Sequence, residues 1–273
     1  MRWLPFLPHV PPPGTPPPCD ASSPDLLQTN HTNSLVTRIA TCPFQIKATI
    51  PVVSRPLQID ITPDGSTALV TSFDNAVNFI DLATNKVTFT LTTDVSVNPH
   101  GLAITPDGKR FYITSFNQDN HVVLLYDMTS HAILATIPSI QFPQGATLTP
   151  DGSQLWITSP LAQSMQVIDT LTNTVVTQLA IGQTTDVAFN STGTRAYVTS
   201  GSGFVVVVDT ATYQRIKSYQ VGAGPGDIAM SYADEFLVVD NWAGNSVSII
   251  DLVQDKVTTT AVGANPGGIV FVK

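Results

Sequence analysis

Charge is scarce in this chain. Lys, Arg, Asp and Glu together make up 12% of 273 residues, and glutamate is almost absent. With so little Lys and Glu beside abundant Thr, Val and Ile, and no 3.6-residue periodicity, a helical repeat architecture is excluded. Basic residues are outnumbered by acidic ones, 12 against 20, for a net charge of −8. A phosphate backbone is thereby excluded as a partner, because nucleic-acid binding starts from a basic surface. No apolar run approaches the roughly eighteen residues of a membrane-spanning helix. Cysteine is limited to Cys19 and Cys42, with no Cys–His spacing that reads as a zinc site. Two readings of the pair stay open: one disulfide formed in an oxidising compartment, or two thiols. Neither a Gly-x-Ser-x-Gly elbow nor a phosphate-cradling Gly-rich loop is present.

What the chain does contain is one pattern, repeated. The stretch NPHGLAITPDGKRFYITSF, residues 98 to 116, is led in by Pro99 and runs into a short apolar strand. A Pro-Asp-Gly turn and a second strand follow. Proline presets φ, aspartate bonds back to the turn backbone, and glycine takes the φ > 0 position, so the unit is a β-hairpin. Three markers share its period. The turn glycine recurs as Gly65, Gly108, Gly152 and Gly193, with Ala233 read as the fifth, at spacings of 43, 44, 41 and 40. The leading proline recurs as Pro56, Pro99, Pro143, Pro225 and Pro266, with Thr184 in the exceptional copy. An apolar run ending in aspartate closes each third strand, at Asp81, Asp127, Asp169, Asp209 and Asp251.

Four short β-branched strands per period of about forty residues mark a β-propeller. The second strands read LVTS, YITS, WITS, YVTS and LVVD (69–72, 112–115, 156–159, 197–200 and 237–240). They resemble the YVTN β-propeller repeat of bacterial and archaeal surface or secreted proteins, over about residues 35 to 273. The resemblance implies an all-β fold on an extracellular, periplasmic or cell-surface protein, and it implies no single activity.

The domain reading is a Pro-rich N-terminal segment over residues 1–33 and one propeller over residues 34–273. Residues 35–51 align with the outer hairpin of a blade, and PGGIVFVK (266–273) supplies an innermost strand. The two ends therefore share one blade and close the ring, which removes exposed sheet edges. The strand count gives six blades, fewer than the seven usual for YVTN proteins. The shared blade lacks a second strand unless residues 22–33 stand in for it.

Because strand direction alternates, the loops leading into the inner strands and those after the second strands emerge on one face. Variation between copies concentrates there, which makes it the expected ligand or partner face. Its candidate binding residues are Gln58, Phe73, Asn98, Phe116, Gln144 and Trp242; large aromatics add contact area at low entropy cost. The leading expectation is a monomeric, non-enzymatic binding propeller without cofactor or metal, whose partner is a protein, glycan or small molecule. The alternative is a small-molecule lyase or hydrolase resembling streptogramin lyases or propeller lactonases. His100 would be its acid–base group, with a reference pKa of about 6.5, and Asp186 and Asp227 its acidic partners. A lactonase needs a glutamate metal ligand that the lone Glu235, at a strand start, does not supply. His100, His121 and Asp119 give a metal grouping as a minor reading, and His131 reads as plain surface. The repeated turn and strand-end aspartates are expected to be structural, since a residue present in every copy does the same local work.

Overall fold

The computed structural model describes residues 25–41, 43–94 and 96–269. Cys19 and Cys42 both lie outside them, as does most of the Pro-rich segment. Blade 6 opens the chain with β1 (Asp25–Asn30), β2 (Leu35–Thr41) and β3 (Phe44–Pro51). Blade 1 follows as β4 (Pro56–Ile61), β5 (Thr67–Ser72), β6 (Ala76–Asp81) and β7 (Lys86–Thr92). Blade 2 comprises β8 (Pro99–Ile104), β9 (Arg110–Ser115), β10 (Val122–Asp127) and β11 (Ile133–Pro138). Blade 3 is built from β12 (Ala146–Leu148), β13 (Gln154–Ile157), β14 (Met165–Asp169) and β15 (Thr174–Leu179). Blade 4 holds β16 (Thr184–Phe189), β17 (Arg195–Ser200), β18 (Phe204–Asp209) and β19 (Arg215–Gln220). Blade 5 holds β20 (Pro225–Met230), β21 (Phe236–Asn241), β22 (Ser246–Asp251) and β23 (Lys256–Ala261).

Each blade is an antiparallel meander, and the six form the ring of a β-propeller. β1 pairs with β2 from Asp25↔Ala40 to Asn30↔Leu35, so part of the segment assigned to the tail is the stand-in second strand of blade 6. The innermost strand expected over 266–273 extends into residues outside those described. Arg38 ties the start of the ring to blade 1. Its Nε donates to Asp25 at 2.6 Å, and its Nη1 donates to the Leu82 carbonyl and to Asn85 Oδ1.

The core lies between blades. Because successive side chains alternate, Phe111 and Ile113 of β9 pack toward blade 1 with Leu69, Val77 and Phe79, whereas Tyr112 packs toward blade 3 with Leu155 and Ile157. Both faces of a second strand are thus buried, which is why these strands read as unbroken apolar runs.

The turn aspartates do the local work expected of them. Asp64, Asp107 and Asp151 each accept the hydroxyl of the threonine two residues before and the N–H two residues after. Strand-end Asp81, Asp127, Asp169, Asp209 and Asp251 accept hairpin N–H groups in the same way. The turns also stack around the ring. A Cβ on Gly152 would meet Pro106 of the preceding blade at 2.7 Å, so glycine is needed there for space as well as for its φ of 72°. One assignment shifts by a residue: the fifth positive-φ turn position is Asp234, at φ 57°, in place of Ala233. His131 is likewise more than surface, since it stacks on Phe89 at 4.0 Å and meets Phe79 edge-on at 4.9 Å.

Candidate functional site

The candidate residues of the inner strands sit in β-bulges. In blades 1, 2, 4 and 5 the first strand pairs its leading residue with the end of the second strand, then skips two residues before the ladder resumes. The skipped residues are Leu57–Gln58, His100–Gly101, Thr185–Asp186 and Gly226–Asp227. A bulge bends its strand and re-aims side chains, here at the mouth of the central channel.

A threonine on each second strand secures the bulge. Thr71, Thr114, Thr158 and Thr199 Oγ1 accept the N–H of Gln58, Gly101, Gly145 and Asp186. The same hydroxyls donate across to the next blade, at the carbonyls of His100, Gln144, Thr185 and Gly226. Side chains add a second set of ties. Gln58 Oε1 accepts the Leu102 N–H at 3.0 Å, Asp186 Oδ2 the Ile228 N–H at 3.1 Å, and Asp227 Oδ2 the Gly268 N–H at 2.9 Å. Three residues read from sequence as site groups therefore each spend an oxygen on holding neighbouring blades.

Asp186 and Asp227 come together with a third carboxylate that sequence reasoning missed. Asp240 stands where the other second strands carry threonine, accepting the Asp227 N–H on Oδ1 at 3.1 Å. The sequence register hid it: LVVD (237–240) sets Asp240 against the closing serine of LVTS, whereas the strand pairing makes VVDN (238–241) the equivalent quartet, one residue on. Burial, then the charges of Asp227 and Asp240, push the Asp186 carboxyl up to about 7. Burial and the Asp227 charge push Asp240 up to about 6. Asp227 keeps an exposed side, yet burial on its other sides raises it also.

His100 belongs to a different neighbourhood. Burial lowers it to about 4, against a smaller opposing effect of the Gln144 backbone, so its imidazole is neutral at neutral pH. Its buried Nδ1 has no hydrogen-bond partner among the described residues. The ring lies 5.1 Å from Phe116. Phe116 is the centre of an aromatic row, 6.4 Å from Phe73 and 5.4 Å from Phe142, with His121 5.4 Å beyond Phe142. Arg55 caps the far end over Phe73 at 5.0 Å and is ion-paired with Asp74. His121 Nδ1 accepts the Phe142 N–H at 3.4 Å. Among the described residues no three His, Cys, Asp or Glu side chains converge on a metal position.

The row is built by the repeat. Phe73 and Phe116 follow the last residue of a second strand, and their N–H groups donate to the carbonyls of Arg55 and Asn98. Arg55, Asn98 and Phe142 precede the leading prolines at φ 56°, 45° and 49°. These are costly conformations for such residues. Their recurrence in successive blades makes them part of the scaffold. Trp242, the equivalent of Phe73 and Phe116 in blade 5, is 58% exposed and donates its backbone N–H to the Gly224 carbonyl. Gln144 is half-buried beside His100, its N–H given to the Thr158 carbonyl. Arg55 and Phe142 were not among the candidate binding residues, although they lie directly before prolines already noted.

The fold and this mouth define a six-bladed β-propeller. Among solved structures, the chain is similar to the hydrazine synthase of Kuenenia stuttgartiensis, with a TM-score of 0.78 and 18% identity over 89% of this chain and 84% of that one. It is similar as well to a functionally unknown protein from Desulfotomaculum acetoxidans, with a TM-score of 0.75 and 18% identity over 88% and 84%. At this identity the likeness speaks to fold. No family model matches the chain, and no curated protein matches its sequence.

Proposed function

We propose that this chain is a binding propeller of the YVTN-repeat type, holding a ligand or partner on its loop face against the Phe73–Phe116–Phe142 row. The observation that carries this reading is the continuity of the row across three consecutive blades, where the equivalent loop positions of blades 3 and 4 hold Pro160 and Gly201. Half-buried rings flanked by Arg55, Asp74, Asn98 and Gln144 combine apolar contact with orienting polar groups, the make-up of a recognition patch. Trp242 extends the same face on blade 5. The catalytic alternative receives no such support. Burial lowers His100 to about 4, which leaves no imidazolium to act as an acid at neutral pH and makes the imidazole a weak base, and Asp186 and Asp227 are engaged with backbone N–H groups.

The test is capture from extracts of the producing cells with the wild-type chain and with a Phe116→Ala/Trp242→Ala double variant. A partner held by the wild type and lost by the double variant is the expected result. A partner held equally by both, and lost instead when His131 and Phe89 on the opposite face are changed to alanine, would move the site to that face.

A further inference from the structure

The junction that closes the ring differs chemically from those before it. At four junctions a threonine hydroxyl accepts one N–H and gives its proton to a carbonyl of the next blade. At the fifth, the acceptor is a carboxylate. Asp240 Oδ1 takes the Asp227 N–H as a threonine would, but Oδ2 takes the Gly268 N–H at 3.1 Å, in competition with Asp227 Oδ2 at 2.9 Å. A carboxylate has no proton to donate. The carbonyl in the place of those of His100, Gln144, Thr185 and Gly226 is, by the 41-residue step from Gly226, that of Gly267.

We propose that Asp240 makes this junction a proton-operated latch on the C-terminal segment that completes the ring. In the charged state residues 266–269 are held by one N–H shared between two mutually repelling carboxylates. When Asp240 takes up one proton from solvent, it plays the threonine part: one oxygen keeps the Asp227 N–H, and the new O–H is given to the Gly267 carbonyl. The latch is therefore tighter in the protonated state.

Among the described residues no other group sets this balance. Asp227 on β20 and Asp186 on β16 are the titratable side chains that act on Asp240 or respond to it. On β22, Val247 is the residue opposite Asp240, and the segment 266–269 carries only Pro, Gly, Gly and Ile. In blade 6 the one titratable group of β1, Asp25, is paired with Arg38 and Lys47. Among the described residues no Lys, Arg or His forms an ion pair with Asp186, Asp227 or Asp240. Burial raises all three groups, and carboxylate repulsion adds to it at Asp186 and Asp240, which puts the transition within reach of neutral pH.

Hydrogen exchange of the full chain at about pH 5 and about pH 8, corrected for intrinsic rates, reads the latch at the amides of residues 267–269. The wild type is expected to protect them about tenfold more strongly at the lower pH. Asp240→Thr is expected to protect them equally at both. Asp240→Asn, which keeps one acceptor and gains a donor, should behave as the threonine variant does and serves if that variant fails to fold. Wild-type protection that is flat or falls on acidification, or pH dependence that survives in both variants, would overturn the proposal.

Discussion

Asp234 takes both the N–H and the hydroxyl of Ser191, one blade away, with carboxylate contacts of 2.9 and 3.0 Å to the nitrogen and 2.5 Å to the oxygen. At the preceding junctions the same two positions are a glycine and a proline packed together, as in Gly152 on Pro106 and Gly193 on Pro150. The two exceptions occur at one junction because each requires the other. Proline has no N–H for a carboxylate to accept, and a serine has no ring for a glycine to pack against. A double-mutant cycle by urea denaturation should show it. Ser191→Pro and Asp234→Gly are each expected to cost about 1 kcal/mol, and the double variant to recover most of the loss.

Stability should peak on the acid side of neutral. Asp186, Asp227 and Asp240 are raised above the ordinary carboxyl value, so the folded chain binds protons more tightly than the unfolded one. Their contribution is complete below the unfolded value of 3.8 and is lost as pH rises through about 6 and 7. The turn carboxylates Asp64, Asp107 and Asp151, lowered by hydrogen bonds from Thr62, Thr105 and Thr149, act oppositely. Their contribution is present above 3.8 and lost below it. Calorimetry is expected to give the highest Tm near about pH 5. Asp186→Asn should raise Tm at about pH 8 and flatten the fall between the two; a Tm indifferent to pH over that range would contradict the sign.

Exposure separates two aromatics of the loop face, Trp242 and Phe116. Trp242→Ala is expected to leave unfolding free energy within about 0.5 kcal/mol, because the ring is mostly in solvent. Phe116→Ala removes the centre of the row and should cost about 1–2 kcal/mol. Equal costs in chemical denaturation would mean that Phe116 is not held as the row requires.

Arg38→Ala should loosen ring closure at the bottom hairpin. It removes the pair with Asp25 and the donors to Leu82 and Asn85, for an expected loss of about 2 kcal/mol in denaturant unfolding. Lys47 remains to hold Asp25, so the loss stays below that of an abandoned buried charge.

The fold was legible because propeller geometry is local and repeated. A Pro-Asp-Gly turn, an apolar strand and a strand-end aspartate each act within a few residues, so the period shows in the chain itself. The misplacement of Ala233 for Asp234 arose where the local marker was absent and a contact 43 residues away had replaced it. Gln58, Asp186 and Asp227 were singled out from sequence for chemistry, yet a bulge turns each toward a backbone N–H of the next blade. Asp240 escaped notice for the converse reason, its position being read as an ordinary strand end.

The amino-acid order by itself determined the all-β architecture, the number of blades, the face on which variation gathers and the turn chemistry, because each depends on φ preferences and periods of a few residues. Only the tertiary structure decided which side chains meet: Phe73 with Phe116 and Phe142, Asp186 and Asp227 with Asp240, Ser191 with Asp234. Apart from Asp227 and Asp240, which share blade 5, those meetings join residues of neighbouring blades, where the ring's curvature, and not any feature of the intervening residues, sets the distance.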